Sequence, residues 1–337
     1  MNRDYMDVRI IREHYEPLKA WHQNILKRSE GFICDRIWGD HLIPGIDQNA
    51  LAATRGMTRL INTAYFYRVT RIMEEFAAML QKDEEASFYR QTGEEIYHAF
   101  NQEFYDAERM IYQEAPSPEG FFYELTSNLI PLQMELVPAD RKKAVLDFVA
   151  GHIRSREYRS YTGILGTKAM IDVLQEENLQ QFLLEVIQNR EFPGWGYTIE
   201  TLGASTLNQN WNGDGDYNHC MYGSVNEFFY GDLLGIDLQN LHSERLIVIE
   251  PFIPENMKFA RGSTKCAYGE IRSGWEKTDG EVNFNITVPH NTTAKLRIPF
   301  KVAEINVLHG GGEITRGKEN EYTLGSGTWI IQAPSEK

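Results

Sequence analysis

The chain has little cysteine: three residues, Cys34, Cys220 and Cys266, lie far apart with no CxxC spacing. That excludes a disulfide framework or a cysteine-ligated zinc site and reads as reduced thiols used as buried filler. It is short of positive charge, with 34 Lys and Arg against 48 Asp and Glu and a formal net charge of −14. No basic stripe offsets repulsion from phosphates, so nucleic acid is excluded as a partner. No apolar run approaches the roughly 18 residues of a membrane helix, so no membrane partner is expected. The first ten residues, MNRDYMDVRI, lack the charged-then-apolar pattern of a secretory signal. A cytoplasmic chain is expected if residue 1 is the native start, and a periplasmic one stays open if it is a truncation. Fixed-period repeats and low-complexity runs are also missing. No set of side chains reaches a convincing metal-ligand group, and no cofactor is expected.

What is present suits a globular chain of 337 residues, 42% hydrophobic and 24% charged, long enough for one large or two ordinary domains. Two kinds of periodicity divide it. Up to about residue 241, apolar residues recur at helical spacing: Ile61, Tyr65, Val69, Ile72, Phe76 and Met79 trace one face of a long helix. Val145, Phe148, Val149 and Ile153 trace another, introduced by Pro138 and Asp140. Further helices are expected near 7–28, 84–105, 119–136, 164–176, 178–190 and 219–235, pairing as antiparallel hairpins across short breaks. From residue 242 onward the period is two. Val282, Phe284, Ile286 and Val288 alternate with polar residues, as do Ala294, Leu296 and Ile298, and the Pro289-His290-Asn291-Thr292 turn between them predicts a β-hairpin. Helices followed by strands without interleaving predict two domains, 1–241 and 242–337, mainly α with a small antiparallel β-sandwich as the tail. The sequons at Asn285 and Asn291 fall within this sheet and read as chance.

The segment from Pro193 to Gly223, PGWGYTIETLGASTLNQNWNGDGDYNHCMYG, is the most informative. A loop this long is disordered or functional, and its Trp and Tyr content argues against disorder. Flat rings beside amides, carboxylates and an imidazole suit a sugar, which offers apolar C–H faces and a ring of hydroxyls. A carbohydrate is the expected partner.

Several segments, in order, resemble the bacterial α-L-rhamnosidases, inverting glycoside hydrolases. Trp38-Gly39-Asp40-His41-Leu42 is similar to that family's Gly-Asp-Trp-Leu loop, and Thr162-Gly163-Ile164-Leu165-Gly166-Thr167 to its Thr-Gly-x-x-Gly-Thr turn. Pro193-Gly194-Trp195-Gly196-Tyr197 is similar to its Pro-Ser-Trp-Gly-Tyr. Gly203-Ala204-Ser205-Thr206 opens the segment that in the family runs to Trp-Glu-Arg-Trp, and Asn218-His219 with Tyr222-Gly223 follows it. In the tail, Tyr268-Gly269-Glu270-Ile271 to Trp275, then Val288-Pro289 and Asn291 to Ala294, resemble the family's last sandwich. The resemblance implies an (α/α)6 six-hairpin toroid, incomplete here at about nine of twelve helices, followed by the sandwich. It also implies open helix faces, and with them a homo-oligomer or a partner chain that completes the barrel.

Three departures bear on chemistry. Gln209 falls where the family carries its general-base Glu, Asn208 replaces the preceding Trp, and His41 replaces the Trp of the Gly-Asp-Trp loop. The family's general-acid segment has no counterpart in the first forty residues. Inverting hydrolysis needs an acid and a base about 6.5–9.5 Å apart, and a glutamine amide has no useful basicity. Asp216, Asp214 and Glu200 are the carboxylates near enough to act as substitute base; Asp beside Gly also reads as a turn-former, and Glu200 as a solvated residue. Trp195 and Trp211 read as a sugar platform or as core. Asn218 and His219 read as sugar contacts or, for Asn218, as a helix cap; Asp40 as a sugar ligand or a turn cap. His41 and Tyr197 complete the set of substrate-binding candidates. Two functions compete: hydrolysis of terminal α-L-rhamnosides, and non-catalytic glycan binding.

Overall fold

The computed structural model describes residues 7–35, 39–46, 57–114, 120–278 and 280–334, the side chains of 120–122 excepted. Trp38 of the Gly-Asp loop lies outside them. The described chain divides into a helical unit, Val8–Ser224, and a second unit that begins at Val225.

The helical unit contains α1 (Arg9–Arg28), α2 (Thr58–Met79), α3 (Asp83–Phe104), α4 (Gly120–Gln133), α5 (Ala139–Ser155), α6 (Ile164–Glu176) and α7 (Gln180–Gln188). Between α3 and α4 a two-strand hairpin, β1 (Tyr105–Asp106) with β2 (Ile111–Tyr112), interrupts the helices. Helical periodicity gives no sign of this hairpin, because Asn128 of α4 pins it: its side chain accepts from Tyr112 N (2.8 Å) and donates to Tyr112 O (3.1 Å). α2 and α3, joined by the short turn after Met79, form the most closely packed helix pair; α1 lies against α2, and α4 against α5 and α6.

The face of α2 differs from the expected one. Thr58, Leu60, Thr63, Ala64, Phe66, Thr70, Met73 and Ala77 are its buried residues along with Ile61, whereas Tyr65, Val69, Ile72 and Phe76 are half-buried and Met79 is exposed. Thr63, Ala64, Thr70 and Ala77 share the buried face with Leu60, Phe66 and Met73, so small residues sit between the larger ones that fill the contact. The larger apolar row falls on the next face, where Tyr65 and Val69 line a 320 Å³ cleft with Trp21, itself 50% exposed. Pattern alone could not rank two apolar faces on one helix.

The expected helix at 219–235 is present over 220–233 but irregular. A 3₁₀ stretch (Cys220–Val225) and a π-helical turn (Phe228–Leu233) occupy it.

In the second unit, β3 (Ile236–Asp237), a short α8 (Leu241–Glu244) and β4 (Leu246–Ile249) precede β5 (Phe259–Cys266), β6 (Gly269–Thr278), β7 (Glu281–Val288) and β8 (Thr293–Arg297). Then come β9 (Asn306–His309), β10 (Ile314–Arg316), β11 (Glu321–Leu324) and β12 (Gly327–Pro334). They form two five-stranded sheets, β10-β11-β8-β4-β3 and β5-β6-β7-β12-β9. Ile247, Leu296 and Leu324 from the first face Ile271, Phe284, Ile286 and Ile331 from the second in one buried core. The alternation seen in the sequence is this inward set.

The pairing corrects the expected hairpin. β7 lies between β6 and β12, whereas β8 joins the other sheet between β11 and β4, so residues 289–292 carry the chain across the sandwich. Pro289 cannot donate to a ladder, and Thr292 Oγ1 donates to its carbonyl at 2.8 Å, which folds the crossing into an arch. The sheets are not wholly antiparallel either, because β4 and β8 run parallel.

Residues 225–241 pack with the strands for a local reason. Trp275 Nε1 donates to Leu233 O (2.7 Å) and Ser273 Oγ to Leu234 O (2.6 Å), and Leu234 and Leu241 belong to the sandwich core. The sequence after 225 therefore carries helical spacing while packing with the strands.

Candidate active site

The Asp40 carboxylate accepts five hydrogen bonds. Its Oδ2 accepts from Thr126 Oγ1 (2.8 Å), Gly163 N (2.9 Å) and Gly166 N (3.2 Å), and its Oδ1 from Leu165 N (2.8 Å) and His41 N (3.1 Å). Gly163, Leu165 and Gly166 form the N-terminus of α6, where orphan amides and the helix dipole favour an anion. The glycines are required by this approach. A Cβ on Gly163 would lie 2.1 Å from His41 O, and one on Gly166 2.2 Å from Thr126 Oγ1 and 2.7 Å from Asp40. The Thr162-to-Thr167 motif is thus a docking cradle for Asp40, closed by a Thr162–Thr167 hydroxyl contact of 2.9 Å. Burial pushes the Asp40 carboxyl above its ordinary value, while Thr126 and the three amides pull it back. With every lone pair engaged and the residue 3% exposed, Asp40 fills the capping role rather than that of a sugar ligand. His41 lies half-buried beside it.

The platform reading of Trp195 and Trp211 is likewise corrected: both are 2% exposed. Trp195 Nε1 donates to Tyr222 O (2.9 Å), its ring meets Trp211 edge-on at 5.0 Å, and Trp211 stacks on Tyr222 at 3.7 Å. Their faces are consumed by one another, which leaves none for a sugar. Tyr197 is half-buried and packs edge-on against Phe192 at 5.5 Å. Glu200 is exposed and ion-pairs with Arg190.

This aromatic cluster carries the excursion 207–219. His219 N donates to Leu207 O (2.7 Å), Gln209 N to Asp216 O (2.9 Å) and Asn210 N to Asp214 O (3.1 Å), so the loop folds back on itself. Gln209 Oε1 accepts from Asp216 N at 3.3 Å. Gly215 passes so close that a Cβ there would lie 2.4 Å from Gln209 Oε1, and its φ of +85° suits glycine alone. Asp214 is a turn-former: its Oδ2 accepts from Asn212 Nδ2 at 2.8 Å and its N donates to Asn212 Oδ1. Among the described residues the exposed Asp216 carboxylate has no partner, directly across the loop from Gln209. Asn218 is exposed with φ +58°, a conformation that Asn tolerates, and its side chain makes no capping bond.

Three buried polar atoms around this loop lack partners: Trp211 Nε1, Tyr222 Oη and His219 Nδ1. Sequence reading did not single out Tyr222 or Tyr65 as site residues. Burial pushes both phenols up, and the Asp40 charge pushes them further. The Tyr222-Gly223 match was the one available signal for Tyr222; a tyrosine among 17 gave none for Tyr65. Among the described residues, no three His, Cys, Asp or Glu side chains are grouped to hold a metal ion.

Comparison with known proteins identifies the scaffold. Residues 1–233 match the model of the bacterial α-L-rhamnosidase six-hairpin glycosidase domain. The chain belongs to that family. Residues 245–313 match the bacterial α-L-rhamnosidase C-terminal domain, so the two units are part of a helical toroid and a following β-sandwich. An α-L-rhamnosidase of Alteromonas sp. (strain LOR) is 27% identical over 321 residues, covering 91% of this chain and 34% of that protein. One from Streptomyces avermitilis is 27% identical over 338 residues, covering 96% and 31%. The solved α-L-rhamnosidase of Dictyoglumus thermophilum matches 99% of this chain and 38% of that one, with 25% identity and a TM-score of 0.82. The Streptomyces avermitilis α-L-rhamnosidase complexed with L-rhamnose matches with a TM-score of 0.77 and 24% identity, over 98% of this chain and 31% of that one. The chain spans about a third of the length of the curated relatives it matches.

Proposed function

We propose that this rhamnosidase-family chain carries the rhamnoside-binding, water-activating face of an inverting glycosidase, with Asp216 as its general base. The observation that carries this is the pairing across the 207–219 loop. Gln209, at the family's base position, holds Asp216 by two backbone-directed hydrogen bonds and leaves its carboxylate unpaired. A carboxylate can take a proton from water near neutral pH; the Gln209 amide cannot. Gln209 then positions the loop, and His219, with Nδ1 buried and unpartnered, supplies a polar group for a sugar hydroxyl when the loop opens. The inverting arrangement places water between the base and the anomeric carbon, on the face opposite the leaving oxygen.

The test is hydrolysis of p-nitrophenyl α-L-rhamnoside, whose leaving group departs as a stable anion and needs little acid assistance. Turnover should fall about 10²–10⁴-fold in Asp216→Asn and persist in Gln209→Glu. Equal turnover in wild type and Asp216→Asn would remove Asp216 from the reaction.

A second reading, glycan binding without hydrolysis, is favoured by Gln209 itself, whose amide oxygen is committed to Asp216 N. Saturable L-rhamnose binding that His219→Ala weakens, with no turnover in wild type or Gln209→Glu, would select it.

A further inference from the structure

The outward face of the second sheet holds a 750 Å³ trough that no residue of the helical unit lines. Its volume falls within the ~300–1,000 Å³ of small-ligand clefts. Strand register arranges its side chains in rows. Phe259, Glu276, Asn283 and Gln332 oppose one another across β5, β6, β7 and β12; the next row is Arg261, Gly274, Asn285 and Ile330. Gly274 forms the floor. A Cβ there would sit 3.1 Å from Arg261 Cβ, so the glycine both admits Arg261 and deepens the trough.

We propose that this trough is a second, non-catalytic site for a neutral oligosaccharide. Phe259 is 53% exposed, a ring of the kind a sugar's C–H face covers. The Arg261 guanidinium lies over that ring, 5.7 Å from its centroid. Asn283 and Asn285 line the trough with amides, and beyond its lining Gln332 Nε2 approaches Asn283 Oδ1 and Asn306 Nδ2 approaches Gln332 Oε1, each at 3.4 Å. These long contacts leave donors and acceptors free to exchange for sugar hydroxyls. Among the described residues, Arg261, Glu276 and Asn285 have no hydrogen-bonded or ionic side-chain partner, and all three stand exposed. One free cation and one free anion cancel, which favours a neutral ligand over a uronate or a phosphate.

The rows cross four strands, three spacings of about 4.8 Å, so the trough is roughly 14 Å wide and exceeds one sugar ring. A short oligosaccharide therefore fits better than a monosaccharide. Ile330 adds an apolar spot that suits the methyl group of a deoxysugar; the choice of terminal sugar rests on the rhamnoside reading above, and the trough itself does not.

The experiment is calorimetric titration of the 337-residue chain with a neutral, α-L-rhamnose-terminated trisaccharide. Phe259→Ala/Asn285→Ala should weaken one class of sites at least tenfold, leave p-nitrophenyl α-L-rhamnoside turnover unchanged, and leave the melting temperature unchanged because both residues are exposed. His219→Ala should leave that class of sites intact, and 1 M NaCl should weaken it less than twofold. If the barrel-loop reading fails, wild type and His219→Ala bind alike through the trough alone. Titration curves for Phe259→Ala/Asn285→Ala that superimpose on wild type would overturn the proposal. So would binding that salt abolishes, which would mark a charged ligand, or the absence of saturable binding in wild type.

Discussion

Asp40→Asn tests whether the Asp40 cradle holds the helical unit together. The carboxylate accepts five hydrogen bonds, three at Oδ2 and two at Oδ1. An asparagine keeps one oxygen, so in either orientation its NH₂ faces at least two donors. Each unmet buried donor costs about 1–3 kcal/mol, and relief from burying a charge returns part of that. A net loss of roughly 2–4 kcal/mol follows. At about 2–4 °C per kcal/mol for a unit of this size, the helical transition should fall by on the order of 10 °C. The assay is a calorimetric melt of the purified chain, with Asp216→Asn as comparison. Asp216 is exposed and its carboxylate unpaired, so its substitution should stay within about 0.5 kcal/mol. An Asp40→Asn melt within 2 °C of wild type would show that the network is neutral or relaxed, and would refute the reasoning.

The glycines of the cradle make a matching prediction. Gly163→Ala drives a Cβ to 2.1 Å from a backbone carbonyl that cannot swing away, and should destabilise by about 3 kcal/mol or more in urea denaturation. Trp211→Ala removes a ring stacked on Tyr222 in a sealed core, and its melt should show a loss of about 3–5 kcal/mol whether or not sugar is present. Two buried groups set the pH window. Burial holds His22 down at about 4, so its contribution is present above the ordinary value of 6.5 and is lost as pH falls toward 4. Burial raises Glu114 to about 7, against hydrogen bonds from the amides of Leu60 and Arg59 at the start of α2; its contribution is present below 4.5 and is lost as pH rises through 7. The two windows overlap with opposite sign, so stability measured against pH should be nearly flat between about 4.5 and 6.5, falling below about 4.5 as the His22 contribution is lost and above about 6.5 as that of Glu114 is lost. Glu114→Gln should flatten the alkaline side by on the order of 1–2 kcal/mol after solvent screening.

Much of the architecture was legible because it rests on periodicity. The helices at 139–155 and 164–176 and the inward set Val282 to Val288 carry one apolar period each and a clear end signal. What was not legible depends on contacts distant in sequence. Tyr65 and Val69 form an apolar row as good as the buried one, and only packing against α1 and α3 decides between them. The Pro289–Thr292 turn closes no hairpin, since β8 finds β4 and β11 instead. Trp195 and Trp211 were ambiguous for the same reason: a tryptophan in a Gly-rich loop is a platform only if nothing stacks on it, and Tyr222 does.

The motifs that identify the family in sequence prove to be its structural fastenings. Asp40 and the Thr162–Thr167 turn are one capping network, and Trp195 and Tyr222 are one aromatic core. Each places a large buried or strained demand on a few residue types, which is why such motifs stay recognisable in a chain 27% identical to its relatives. Hydrolysis makes a different demand, for one carboxylate at one distance from water, and a change of a single residue can meet or remove it. Asp216 is exposed, so packing leaves its side chain unconstrained, whereas Gln209 is half-buried against Gly215. The scaffold can therefore be read from motifs, while the proposed activity rests on the 207–219 loop. Exchanging the acidic function, Gln209→Glu with Asp216→Asn in one chain, isolates it. If position 209 faces the water, this double variant should hydrolyse p-nitrophenyl α-L-rhamnoside at least as fast as wild type. A double variant as inactive as Asp216→Asn alone would mean that the loop presents Asp216, and only Asp216, to the sugar.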